Sequence, residues 1–252
     1  MRILLSNDDG IEAKGLLAAY KALVKAGHDV LACAPDGERS ASSHAVILRD
    51  PIAARAVPMP DGKDGWAVMG FPADCVRLGL DLFGDPPFDM VVSGINNDTN
   101  LGFDVNYSGT LGAALEATGA PLPAVAASAQ KSLPYRWERD GAILADVVSR
   151  LASWRLPKGV IANLNIPEAI KKKGYFWCPT NPRYEKETAR RVDTGSGRFE
   201  YTRHRNPVPT APAPGSDADL FSRGLITLTP VRPAGTEPGT LGRLLKELGP
   251  SV

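Results

Sequence analysis

The 252-residue chain has few cysteines, few histidines and almost no net charge. Its three cysteines, Cys33, Cys75 and Cys178, lie far apart and form no C-x-x-C pair, which disfavours a disulfide framework and a structural zinc site. The formal net charge of +1 argues against a protein that coats nucleic acid or membrane through bulk charge, because such binding requires a surplus of Lys and Arg. We therefore expect no stable nucleic-acid complex.

Long apolar runs and common nucleotide-binding fingerprints are also missing. The apolar run that opens the chain is too short for a signal peptide, and no apolar stretch of about 18 residues occurs. No G-x-G-x-x-G follows the first apolar run and no G-x-x-x-x-G-K-[ST] is found, which disfavours dinucleotide and P-loop binding. These absences predict a cytoplasmic protein without a membrane partner.

The sequence does contain alternating strand and helix patterns. Arg2–Ser6 predicts a strand, Leu16, Tyr20 and Leu23 recur at helical spacing up to Gly27, and Val30–Ala34 predicts a second strand. This alternation continues, and predicts an α/β, Rossmann-like core over residues 1–175, with a mostly parallel open sheet and helices on both faces. Further strands are predicted at 66–69, 89–93, 124–128 and 159–165, and further helices at about 73–83, from 108 and around 143–151.

Residues 176–252 lack the regular alternation of strand and helix patterns. We interpret them as an extended, β-rich arm with a late strand and a short terminal helix, within the same domain. Residues 171–205 carry ten Lys and Arg against four Asp and Glu, which is typical of a solvated hairpin. The aromatic residues of this segment have no periodic helix to bury them, so we expect a homodimer or homotetramer, the alternative being an arm that folds back on its own core. The side chains concerned are Tyr175, Phe176, Trp177, Phe199, Tyr201 and Phe221, followed by Leu241, Leu244, Leu245 and Leu248.

Three polar loops follow predicted strands. Because open parallel sheets bind ligands at the carboxyl ends of their strands, we expect these loops to meet. Their oxygen-rich side chains suit Mg²⁺ or Mn²⁺. A lone Asp-Asp pair is more often a turn and a helix cap, but three converging loops favour a metal site. The loops contain Asp8 and Asp9; Arg39, Ser40, Ser42, Ser43 and His44; and Asn96, Asn97, Asp98 and Asn100.

A fourth polar stretch opens a predicted helix at Ser108, Gly109 and Thr110. Backbone N–H groups, two hydroxyls and a glycine are the usual components of a phosphate cradle, although an ordinary serine N-cap has the same appearance. Among the histidines, His44 lies in a polar loop where it could contact a substrate, whereas surface or packing roles are expected for His28 and His204.

Five segments together resemble the survival protein SurE family of metal-dependent nucleotidases. They cover most of the first 130 residues and resume later in the chain, and their order makes chance similarity improbable. The segments are Ile3–Gly10; Ala34–Asp36 with Arg39, Ser40 and Ser43; Gly70 with Pro72–Val76; Ser93–Asn96 with Asn100–Gly102 and Tyr107–Thr110; and Asp217 with Gly224 and Thr227–Pro230.

This resemblance implies one divalent cation per subunit and the hydrolysis of nucleoside 5′- or 3′-monophosphates. It implies that Asp8, Asp9, Ser40 and Asn96 are the metal ligands, and that members assemble through exchanged C-terminal arms. Departures at Glu12, Lys14 and Asp98 bear on substrate specificity. The phosphate pocket would be lined by Asn100, Ser108, Gly109 and Thr110, to which we add Ser43 and His44 as substrate-binding candidates.

For catalysis, the acidic pair Asp8 and Asp9 is the candidate. We expect attack by a water molecule that the metal binds, with Asp9 orienting or deprotonating this water. Alternatives are a broad-specificity acid phosphatase, a short-chain exopolyphosphatase, and a covalent phosphatase with Asp8 as nucleophile. A receiver-like module that binds a metal is a remote alternative, since such modules are much shorter.

Overall fold

The computed structural model describes residues 1–130, 136–154, 156–182, 187–195, 197–205 and 211–233. The helices are α1 (Lys14–Lys25), α2 (Pro72–Leu82), α3 (Gly109–Glu116), α4 (Trp137–Trp154) and α5 (Asp217–Ser222). The strands are β1 (Arg2–Ser6), β2 (Asp29–Pro35), β3 (Ala54–Pro58), β4 (Asp64–Val68), β5 (Met90–Asn96), β6 (Ala124–Ala129), β7 (Ile161–Ile166), β8 (Tyr175–Trp177), β9 (Glu187–Gly195), β10 (Arg198–Arg205) and β11 (Ile226–Val231).

Nine strands form one twisted sheet in the order β3-β4-β2-β1-β5-β6-β7-β11-β8. The central strands β4, β2, β1, β5, β6 and β7 run parallel, while β3 and β11 are antiparallel to their neighbours β4 and β7. The chain leaves β1 toward β2 on one side and reaches β5 on the other. The gap between β1 and β5 is therefore the topological switch point, where ligands bind in open α/β sheets.

Helices cover both faces of the sheet, as predicted. Helices α1 and α4 pack on one face through residues such as Leu16 and Val148. Helices α2 and α3 cover the other face, with Val76 and Leu111 among the buried residues. Among the described residues, none of the helices is both long and apolar enough to cross a membrane. The prediction of an α/β, Rossmann-like fold is confirmed.

Local signals explain where α1 stops. The predicted apolar positions Leu16, Tyr20 and Leu23 are all buried. Beyond the helix, Gly27 adopts a φ of 84°, and its N–H donates to the Val24 carbonyl while the N–H of His28 donates to the Leu23 carbonyl. This hydrogen-bond pattern is a Schellman motif, in which glycine is favoured because it adopts positive φ without strain.

The C-terminal part divides between the main sheet and a separate ribbon. Strands β8 and β11 extend the sheet beyond β7, so this portion of the predicted arm folds onto the core. Within the described part of the chain, strands β9 and β10 pair only with each other and form the predicted hairpin, on which Phe199 and Tyr201 are exposed. The terminal helix predicted around Leu241–Leu248 lies outside the described residues.

Candidate active site

The carboxylate of Asp8 lies at the switch point and is fixed by the start of α3. Asp8 directly follows the end of β1 and is only 4% exposed. The Thr110 hydroxyl donates a hydrogen bond of 2.6 Å to Asp8 Oδ1. The N–H of Arg39, in the loop after β2, donates a hydrogen bond of 2.7 Å to the Asp8 carbonyl. The loops after β1 and β2 therefore meet at the first turn of α3.

Glycine at position 109 permits this close approach. A Cβ atom at Gly109 would lie 2.6 Å from Ser42 Oγ and 2.9 Å from Asp8 Cβ. Both distances are too short for non-bonded atoms, so Asp8 and Ser42 can occupy their positions only because residue 109 has no side chain. The sequence placed Ser42 in the second polar loop without a metal or substrate role, and its buried hydroxyl has no hydrogen-bond partner among the described residues.

The loop after β5 reaches the second aspartate. The N–H of Asn97 donates to Asp9 Oδ2 at 3.3 Å. Burial raises the pKa of Asp9, the hydrogen bond from Asn97 opposes this, and the negative charge of Glu38, in the loop after β2, adds to the rise. The Ser40 hydroxyl donates to Glu38 Oε1 at 2.7 Å. All three polar loops that the sequence predicted to converge are thus joined through Asp8 and Asp9.

The two aspartates form a partly buried pair of like charges. Burial, opposed by the hydrogen bond from Thr110 and reinforced by the charge of Asp9, raises the pKa of Asp8 to about 6. Burial also raises the pKa of Asp9. Among the described residues, no Lys or Arg forms an ion pair with either carboxylate. A pair of this kind fits a divalent cation, which would supply the missing positive charge.

The donor set around the pair consists of oxygen atoms. Within the described ranges, no three His, Cys, Asp or Glu side chains cluster as a metal site, so a cation here would need neutral oxygens besides the two carboxylates. Asn96 ends β5, and its Nδ2 donates to the Asp98 carbonyl at 2.8 Å, leaving Oδ1 as an acceptor. Hard cations such as Mg²⁺ accept this combination of ligands. The ligand roles of Asp8, Asp9, Ser40 and Asn96 stay predictions.

The carboxylate of Asp98 is engaged by its own loop. Asp98 Oδ1 accepts a hydrogen bond of 2.7 Å from the N–H of Thr99, and the residue is exposed. This local bond gives the additional carboxylate of the loop a structural role as the acceptor for a turn N–H.

Ser108 caps α3 and determines which N–H groups of the first turn remain for a ligand. Its hydroxyl accepts a hydrogen bond of 3.2 Å from the N–H of Leu111. Asp8 accepts from the backbone of Thr110 as well as from its hydroxyl. The helix itself supplies no acceptor to its first N–H groups, so the N–H of Gly109 is available for an anion. The hydroxyl proton of Thr110, by contrast, is committed to Asp8.

Ser43 connects the polar loop after β2 to the segment before α3 through two hydrogen bonds. Its N–H donates to the Tyr107 carbonyl at 2.9 Å and its hydroxyl donates to the Asn106 carbonyl at 2.8 Å. Ser43 adopts a φ of 54°, a left-handed conformation that non-glycine residues seldom adopt. The predicted substrate contact of Ser43 therefore competes with a structural hydrogen bond.

His44 is directed toward the far end of α3. Its Nε2 lies 2.8 Å from Oε2 of Glu116, the last residue of that helix. Glu116 lies seven positions after Gly109 in the helix, which corresponds to a rise of roughly 10 Å. The structure thus pairs His44 with Glu116 at a distance from the Asp8 carboxylate, and the substrate contact proposed for His44 stays a prediction.

Asn100 is held by side chains that sequence reasoning missed. It is 7% exposed, and its Nδ2 donates to Ser128 Oγ at 2.7 Å. Its backbone is bound by Asn163 and Asn165 of β7. The sequence pattern that could have revealed them is Ile161–Ile166, in which two asparagines alternate with apolar residues in a buried strand.

Comparisons with known proteins identify the family. A family model described as survival protein SurE matches residues 3–187. The chain belongs to the SurE family. A relative from Solidesulfovibrio magneticus, named 5′-nucleotidase SurE, is 39% identical over 253 residues, covering 99% of this chain and 98% of the relative. A relative of the same name from Gloeobacter violaceus is 39% identical and covers 95% of this chain and 93% of its own length.

Solved structures give the same assignment for the fold of this SurE family member. The crystal structure of the SurE protein from Aquifex aeolicus matches with a TM-score of 0.83 at 28% identity, and the match covers 98% of each chain. The resemblance of the five sequence segments to the SurE family is thereby confirmed, and the match extends through the C-terminal region beyond residue 187.

Proposed function

We propose that this chain is a divalent-cation-dependent phosphohydrolase that releases phosphate from nucleoside 5′-monophosphates. The observation that supports this proposal is the pair Asp8 and Asp9 at the switch point, set against the first turn of α3, and no Lys or Arg of the described residues forms an ion pair with either carboxylate. A site for a cation thus adjoins N–H groups that can bind a phosphate. The name 5′-nucleotidase borne by the relatives supports the substrate class.

A cation at this site would be held by Asp8, Asp9, Ser40 and Asn96. Mg²⁺ and Mn²⁺ fit this oxygen donor set better than Zn²⁺, which favours nitrogen and sulfur ligands in proteins. When bound, such a cation withdraws charge from the phosphoryl group and lowers the pKa of water. The Thr110 hydroxyl donates a hydrogen bond to Asp8 and so holds the Asp8 carboxylate in one orientation at the end of β1.

The substrate phosphate would be bound by α3 and by Asn100. The N–H of Gly109 and the hydroxyl proton of Ser108 can both donate to phosphate oxygens, since the Ser108 oxygen serves the helix only as an acceptor. Asn100 Nδ2 carries two N–H groups, of which Ser128 accepts one, so the other can donate to the phosphate. These fixed donors stabilise the charge that develops in the transition state.

Asp9 is suited to orient the attacking water. It is more accessible than Asp8, and its only hydrogen bond within the described residues is the long contact of 3.3 Å from Asn97. A carboxylate oxygen of Asp9 can therefore accept a hydrogen bond from the water. Asp8 is a poor candidate for the covalent nucleophile, because it is 4% exposed and already engaged by Thr110.

A substrate panel tests this proposal. We expect nucleoside 5′-monophosphates to be hydrolysed faster than 3′-monophosphates, tripolyphosphate or an aryl phosphate, with Mg²⁺ or Mn²⁺, and a chelator to stop the reaction. Free phosphate is measured over time with each cation. Faster hydrolysis of tripolyphosphate would indicate an exopolyphosphatase, and equal rates on all esters a broad-specificity phosphatase. Cation binding without any hydrolysis would support the receiver-like alternative.

We also propose a homodimer or a homotetramer built through the β9–β10 hairpin. Phe199 and Tyr201 lie on one face of this ribbon and are 44% and 60% exposed. An isolated two-stranded ribbon is marginally stable, so a second subunit that covers these rings would stabilise it. Light scattering at micromolar concentration should give at least twice the monomer mass. Replacing Phe199 and Tyr201 with serine should shift the protein toward the monomer, and an unchanged mass would contradict this assignment.

A further inference from the structure

Two asparagines of β7 bind the backbone of Asn100 from the side. The N–H of Asn100 donates to Asn165 Oδ1 at 2.8 Å, and the Asn100 carbonyl accepts from Asn165 Nδ2 at 3.1 Å. The same carbonyl accepts a second hydrogen bond, of 2.9 Å, from Asn163 Nδ2. Asn165 thus pairs with both backbone groups of one residue, as the neighbouring strand does in a sheet ladder.

These side-chain hydrogen bonds take the place of the backbone pairing that a neighbouring strand would otherwise provide. Strand β5 stops at Asn96, so Asn100 lies in an irregular loop, yet it is buried where water cannot pair its backbone. Buried N–H and C=O groups without partners are costly, because they lose their hydrogen bonds to water and gain none in return. Asn163 and Asn165 meet this requirement with side chains. They do so from β7, which is separated from β5 in the sheet by β6.

The register of the sheet brings the asparagines into position. Asn165 lies opposite Ser128 of β6, and Ser128 lies opposite Asn96 of β5. Asn163 and Asn165 are two residues apart, so they project from the same face of β7. Both are 0% exposed, although a strand buried on both faces ordinarily carries only apolar residues. Their hydrogen bonds to Asn100 explain why polar side chains are present there.

We infer that Asn165, assisted by Asn163, is a positioning residue that fixes Asn100 in the orientation required to stabilise the phosphoryl group in the transition state. Ser128 anchors the Asn100 side chain, while the two asparagines fix the backbone from which that side chain extends. The backbone and the side chain of Asn100 are thus both held by hydrogen bonds. The inference rests on the proposed function, because it assigns to Asn100 a contact with the substrate phosphate.

A double-mutant cycle tests the inference. Asn165→Ala and Asn100→Ala are made singly and together, and kcat and KM for phosphate release from a nucleoside 5′-monophosphate are measured with Mn²⁺. Asn165→Ala should lower kcat by about 10- to 100-fold with little change in KM, since misplacement of a transition-state donor costs this much. In the Asn100→Ala background, where no donor remains to be positioned, the same substitution should lower kcat by less than about threefold.

Equal losses of kcat in the two backgrounds would overturn the inference and leave Asn165 a purely structural residue. Thermal unfolding of the four proteins supplies the comparison, because the loss of Tm caused by Asn165→Ala should persist in both backgrounds. If Asn165→Ala fails to fold, the same cycle with Asn163→Ala decides, since that variant retains both bonds from Asn165. A smaller but likewise background-dependent loss of kcat is then expected.

Thr227→Val is the matched control for disturbed packing. Thr227 lies opposite Asn165 on β11, is fully buried, and its hydroxyl has no hydrogen-bond partner in the part of the chain that the structure describes. This nearly isosteric change should leave kcat at the wild-type value. Failure of the proposed function would give a different result. The wild-type protein itself would then release no phosphate from nucleoside monophosphates.

Discussion

Asp9→Asn is expected to reduce phosphate release by on the order of 10²- to 10³-fold, or below detection, while the protein stays folded. The substitution removes one of the two charges that would hold a divalent cation but keeps the volume of the side chain. The contact with the N–H of Asn97 can be retained by the amide oxygen. Phosphate release at saturating Mn²⁺ gives the catalytic effect, and titration calorimetry gives the loss of cation binding.

The stability of this variant separates a lost ligand from a damaged fold. Burial and, to a smaller extent, repulsion from Asp9 raise the pKa of Asp8, so neutralising Asp9 should leave the Tm of the cation-free protein unchanged or higher. Asp29→Asn is the matched control. Asp29 begins β2 at the opposite end of the strands and loses only its ion pairs with Lys63 and Arg2, which lie away from the site, so phosphate release should not change. Wild-type turnover by Asp9→Asn would refute the cation site.

Gly109→Ala is expected to lower kcat by on the order of 10²-fold. The new Cβ atom would collide with Ser42 Oγ and with Asp8 Cβ, at distances of 2.6 and 2.9 Å. Asp8 must then move away from Thr110, and the N–H of Gly109 is screened from a phosphate. Since alanine favours helix formation more than glycine does, the loss cannot be attributed to a weaker α3.

Gly119→Ala is the corresponding control, because a Cβ atom there would have nothing within 4 Å. Steady-state kinetics of both variants, with binding of inorganic phosphate as product inhibitor, distinguish the effects. The Gly109 variant should lose phosphate affinity together with kcat, and the Gly119 variant should retain both. A Gly109 variant with unimpaired kcat and phosphate affinity would show that Asp8 and α3 need not approach so closely.

Most elements of the core were predictable from periodicity, and the exceptions have physical reasons. Strand β3 was not predicted, because four of its five residues are exposed and its flanking prolines resemble a loop. Helix α5 has only six residues, too few for helical periodicity to emerge. Strand β8 was not predicted and spans the boundary drawn between residues 175 and 176, since three residues show no pattern of their own. Its place in the sheet depends on pairing with β11, a contact between residues distant in sequence.

The sequence by itself determined that three polar loops follow parallel strands and that their side chains suit a hard cation and a phosphate. Local order was sufficient for this, because the carboxyl ends of parallel strands share one edge of the sheet. Only the tertiary structure decided which atom pairs with which. It directs the Thr110 hydroxyl to Asp8 and His44 to Glu116, and it brings Asn165 to the backbone of Asn100. Hydrogen bonds depend on distances of a few ångströms between residues far apart in the chain, and sequence spacing does not encode those distances.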